Sequence, residues 1–99
     1  MSEVIDRKFE FIAFNPCKGA IYTHKNGILF LAKDLAVPDM LDAYMKKCEA
    51  LCCGSEHIHS MALAKERILH YQRTVESHVP DTNLTCEIER CIKGANLNV

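Results

Sequence analysis

Five side chains near the middle of the chain, Cys48, Cys52, Cys53, His57 and His59, form the densest group able to do chemistry. Zinc takes thiolate and imidazole, but Cys-x3-Cys-Cys-x3-His-x-His does not have zinc-finger spacing. On a helix His57 and His59 point about 160° apart, so both cannot easily join the thiols. The reading is core thiols beside capping or surface histidines, with no metal. For a nucleophile and base, chain proximity offers only Cys17 with His24, and no third group orients them. Gly-rich phosphate loops, Gly-x-Ser-x-Gly and His-Glu-x-x-His are absent from the sequence. A non-enzymatic role without a cofactor is expected.

Cations and aromatics suit a binding role better. Lys18, Lys25, Lys33, Arg67 and Arg73 can meet phosphate, and Tyr22, Tyr44 and Tyr71 can stack on a base or donate a hydroxyl. At roughly 100° per residue, His59, Leu63, Arg67 and His70 share one sector of a helix, with Glu66 and Arg73 on its flank. The plain reading of this strip is a solvated face, because Glu66 interrupts it; the sharper reading is an anion contact. Tyr44 and Tyr71 fall on inward stripes and read as core. Tyr22, on a short hairpin, is placed to sit at a subunit boundary.

Two helices folded back on each other, over residues 38–77, must position most of these groups. Pro38 suits the first helical turn and Asp39 and Asp42 the positive end of the dipole. Leu41, Tyr44, Met45, Cys48, Leu51 and Cys52 then make one apolar stripe. Gly54 is expected to end the first helix in the left-handed conformation and Ser55 to cap the second. The second, from about 56 to 76, turns Ile58, Met61, Ala62, Ala64, Ile68, Tyr71 and Val75 toward the first.

Ahead of the helices, residues 8–33 read as a three-stranded antiparallel β-meander, which makes the fold class α+β. The strands are expected at 8–14, 20–24 and 28–32. Asn26-Gly27 predicts a type I′ hairpin pairing Lys25 with Ile28, His24 with Leu29, Thr23 with Phe30, Tyr22 with Leu31 and Ile21 with Ala32. The first and third strands are apolar on both faces. With the helical hairpin on one side, the other needs a second copy, so a homo-oligomer is expected.

His78-Val79-Pro80-Asp81 reads as a linker. A short helix at 84–94 follows, capped by Thr85 and docked through Leu84, Ile88 and Ile92, and 95–99 reads as a tail without order.

The whole 99-residue chain fits a single domain of ordinary globular composition, 48% apolar and 25% charged. A net charge of -1 and a pI near 6.5 argue against a dedicated DNA or RNA binder. No membrane span or secretory leader is read from the sequence, so the six cysteines are expected as free thiols in reducing cytoplasm.

Asn15-Pro16 before Lys18-Gly19, then Tyr22-Thr23-His24-Lys25-Asn26-Gly27 and Phe30-Leu31-Ala32-Lys33-Asp34, with Ala43-Tyr44 and Glu66-Arg67-Ile68 in the helices, resembles the phage-encoded Thoeris anti-defence family. The similarity runs from about Phe9 to Arg73. It implies a small antiparallel sheet followed by a helix pair, assembly into oligomers, and sequestration of cyclic ADP-ribose isomers or cyclic oligonucleotides, without turnover, in the host cytoplasm. It also implies Arg67 as a phosphate contact, with Asn15 and Lys18 behind it. Together with the cationic strip and the hairpin tyrosine, the candidate ligand-binding set is Asn15, Lys18, Tyr22, Arg67, His70 and Arg73. The resemblance does not account for the six cysteines. The rival reading is a small prophage-type regulatory module that binds a protein partner through the exposed face of the second helix.

Overall fold

The computed structural model of the chain describes residues 4–94. It divides into two compact units, one of Met1–Leu29 with Asp81–Val99 and the other of Phe30–Pro80.

In the first unit, strands β1 (Ile12–Asn15) and β2 (Ala20–Thr23) pair antiparallel, with Ile12 opposite Thr23, Ala13 opposite Tyr22, Phe14 opposite Ile21 and Asn15 opposite Ala20. Asn15 closes the turn between them. Its Oδ1 accepts from the Cys17 and Lys18 amides, its carbonyl accepts from Gly19, and Gly19 supplies the positive φ of 67° that the reversal requires.

The three-stranded meander is not formed: the sheet has two strands, and 27–31 is irregular. Asp6 explains why. Its buried carboxylate accepts from the Lys8 amide at 2.9 Å and the Phe9 amide at 3.0 Å through Oδ1, and from the Leu29 amide at 2.9 Å through Oδ2. The first two bonds curl 6–9 into an Asx-type turn, so β1 begins at Ile12 instead of Lys8. The third takes a donor that a strand at 28–32 would have offered a neighbour. His24, placed opposite Leu29 in the expected register, instead gives its carbonyl to the Ile5 and Asp6 amides.

The type I′ turn at Asn26-Gly27 is absent as well, since neither residue has positive φ. The Asn26 side chain instead accepts the Thr23 amide and folds 24–26 into a turn. None of the five pairs expected from Lys25–Ile28 to Ile21–Ala32 therefore forms.

The same unit carries α3 (Thr85–Gly94), held through Arg90, whose Nε donates to the Arg7 carbonyl and whose guanidinium pairs with Glu10 at 3.1 Å. Leu84, Ile88 and Ile92, the expected docking face, remain exposed. The expected tail at 95–99 lies outside the described residues.

The second unit contains the helical hairpin, α1 (Val37–Ala50) and α2 (Ser55–Thr74). Asp34 Oδ1 accepts the Ala36 amide just ahead of α1, and Pro38 occupies its first turn. The apolar stripe puts Cys48 into the core, where it and Val37 are each 4% exposed. Lys65 on α2 pairs with Asp42 on α1 at 2.7 Å, a surface link between the two helices.

Two assignments at the helical corner are displaced. Cys52, with φ 59°, takes the left-handed position expected of Gly54, and Gly54, with φ -58° and ψ 141°, takes the N-cap place expected of Ser55. Past α2, Val75 is exposed instead of inward. The expected linker is anchored: Asp34 and His78 form a parallel bridge, with the Leu35 amide donating to the His78 carbonyl and the His78 amide to that of Lys33. Gln72 Nε2 completes this clamp by donating to the carbonyls of Ala32 and Asp34.

Candidate ligand groove and cysteine corner

Along α2, Leu63, Glu66, Arg67, His70, Tyr71, Thr74 and Val75 line an open groove of 570 Å³. Steps of three and four put these residues on one face of the helix. Two expected site residues, Arg67 and His70, meet here. The groove is mainly apolar between them, with Leu63 and Val75 exposed, and Glu66 is its one carboxylate. Tyr71, read from the sequence as core, lies only half-buried against the groove. Its hydroxyl donates to Glu76 at 3.3 Å, and burial together with that carboxylate raises the phenol above its usual range. Arg73 is exposed on α2 outside the lining.

The remaining candidates belong to the hairpin of the other unit. Asn15 spends its carboxamide oxygen on the turn. Lys18 is exposed at the tip of that turn, and Tyr22 stands half-exposed across from Ala13. Cys17 and His24 sit at opposite ends of β2, separated by four strand residues, about 13 Å of extended chain, so they cannot act as a nucleophile and base. His24 Nδ1 is buried without a hydrogen-bond partner among the described residues. A second cavity of 360 Å³, which no sequence pattern signalled, is lined by Val4, Ile5, Asp6, Arg7, Lys8, Ile28 and Cys91.

At the corner between α1 and α2, Tyr44 Oη and His57 Nε2 share a hydrogen bond of 2.9 Å. The neighbouring Cys48 thiol is the chief cause that raises the Tyr44 phenol and the Cys53 thiol above their ordinary values. Cys52 and His59 are exposed and take no part in this set. No three His, Cys, Asp or Glu side chains among the described residues converge as a metal site.

No protein-family model, curated protein or solved structure matches this chain. Among the described residues, no helix is long and apolar enough to cross a membrane.

Proposed function

We propose that this chain is a small nucleotide-binding protein that assembles into a homo-oligomer and sequesters its ligand without turnover, in the manner of the anti-defence family its sequence resembles. The observation that carries the reading is the meeting of Arg67, His70 and Tyr71 in one groove of 570 Å³. That volume is in the range of small-molecule sites. Guanidinium and imidazole can address phosphate, and an aromatic beside an apolar floor can take a base. A ligand with two phosphates needs more cations than one groove supplies, and symmetric copies can provide them. Support for assembly comes from the sheet, where Ile12, Phe14 and Ile21 share one face and stay 79%, 61% and 62% exposed.

The alternative, a protein-binding module, rests on exposed Leu63 within α2 and exposed Val75 just past its end, two apolar side chains lining the same groove. A thermal-shift screen against cyclic ADP-ribose isomers, cyclic dinucleotides and cyclic trinucleotides separates the two. Stabilisation by one of these, lost in Arg67→Ala, supports sequestration. No shift with any of them leaves the protein-binding module. Native mass spectrometry of the same material reports the stoichiometry.

A further inference from the structure

We infer that Cys48 and Cys53 form an oxidisable dithiol, a modification site in which a low-molecular-weight disulfide closes an internal Cys48–Cys53 bond. The backbone carries the argument. α1 ends in a Schellman motif: the Cys53 amide donates to the Cys48 carbonyl at 2.9 Å, the Cys52 amide donates to the Glu49 carbonyl at 3.1 Å, and Cys52 between them has φ 59°. This motif packs the residue after the left-handed position against the last-turn residue five places earlier. Those two residues are Cys53 and Cys48. A bond of 2.9 Å between that amide and that carbonyl keeps the two Cα atoms within about 6.8 Å given standard backbone dimensions, inside the roughly 4.4–6.8 Å window of disulfides.

The two sulfurs differ in the way stepwise exchange requires. Cys53 is half-buried but reaches solvent, whereas Cys48 is 4% exposed and closed to a bulky reagent. Although its thiol is held above the ordinary value, Cys53 reaches the thiolate by losing a proton to solvent at mildly alkaline pH, and that thiolate attacks one sulfur of the external disulfide, releasing one thiolate that takes up a proton. Cys48, deprotonated in turn, attacks the Cys53 sulfur and expels the second. Two protein S–H bonds and one external S–S bond become one protein S–S bond and two external thiols. The two electrons pass to the reagent. The inference stands apart from the nucleotide reading, since neither cysteine lines the groove.

The test treats fully reduced protein with oxidised glutathione, traps free thiols by alkylation and maps the peptides. The expected result is a Cys48–Cys53 bond in the native protein, while exposed Cys17, Cys52 and Cys86 carry glutathione or remain free. In Cys48→Ser, Cys53 retains glutathione as a stable adduct. In Cys53→Ser, Cys48 stays unmodified until denaturant is added. Should the buried serine prevent folding, judged by circular dichroism, Cys48→Ala takes its place. Glutathione persisting on Cys53 of the wild-type protein, or a bond from either cysteine to Cys52 in its stead, overturns the inference.

Discussion

Asp6 Oδ2 accepts the backbone amide of Leu29 at 2.9 Å, joining two points 23 residues apart, and the carboxylate that does so is 3% exposed. Burial alone would raise its pKa. The amides of Phe9, Leu29 and Lys8, with His24 adding a favourable charge, outweigh burial and hold it below its ordinary value of 3.8. The unfolded chain therefore binds the proton more tightly than the folded one. The stabilisation is complete above pH about 4 and is lost as pH falls through the folded value. Asp6→Asn puts an amide N–H against that of Leu29 or of Lys8 and Phe9, and should cost about 1–3 kcal/mol at neutral pH. Urea denaturation from pH 7 down to 3 should show a shallower acid limb in the variant. An unchanged limb would mean that the Asp6 carboxylate does not hold this segment.

That carboxylate also marks where the sequence stopped being legible. An unbroken apolar run at Ile28–Ala32 and the Asn-Gly pair ahead of it argued for a third strand, and both signals are local. The competing partner, Asp6, lies 23 residues away and looks in sequence like one more acidic residue of a polar N-terminus. The helices were legible because 3.6-residue periodicity over 14 and 20 residues averages out such competition. At the corner, propensity pointed to Gly54 for the left-handed position, yet the helix runs only to Ala50 and Cys52 falls in the place that needs it. Arg67 and His70 were legible as one sector from spacing alone. Tyr71 was not, because an aromatic on a helical stripe is read as core by default, and here the stripe's edge is the groove wall.

Cys52 holds a conformation in which a Cβ crowds the following carbonyl, at about 1–2 kcal/mol for an L-residue. Cys52→Gly should relieve it and raise stability by about 0.5–1 kcal/mol, net of the extra freedom of the unfolded chain. Cys52→Ala should gain nothing. Urea midpoints of the three proteins check this, and equal midpoints for Gly and Ala variants would contradict a left-handed residue there.

Gln72 ties the chain ahead of α1 to the end of α2 by two donated bonds, at 3.0 Å to Ala32 and 2.8 Å to Asp34. Gln72→Ala takes a donor from each carbonyl, leaving that of Asp34 with the Val37 amide, and should cost about 1–2 kcal/mol. Gln72→Glu should cost more at neutral pH, because a carboxylate then faces two carbonyl oxygens. Hydrogen exchange provides the local check. The amides of Leu35 and His78, both bonded in this clamp, should lose protection before those of α1; simultaneous loss would place Gln72 in the global core instead.

Within the groove, Arg67 and Glu66 carry opposite charges on adjacent positions of the same wall. An anionic nucleotide should feel both. Removing the guanidinium with Arg67→Ala should weaken it by about tenfold or more, the scale of one charge-assisted hydrogen bond. Removing the carboxylate with Glu66→Gln should tighten it by about two- to fivefold, more at low salt, as screening of an exposed charge requires. Arg73, outside the lining, sets the baseline: Arg73→Ala should change affinity by less than about twofold at physiological salt. Calorimetric titration with the ligand that the thermal screen selects compares the three. Equal losses from Arg67→Ala and Arg73→Ala would reduce the site to diffuse charge on α2, and an indifferent Glu66→Gln would move the phosphate away from that wall.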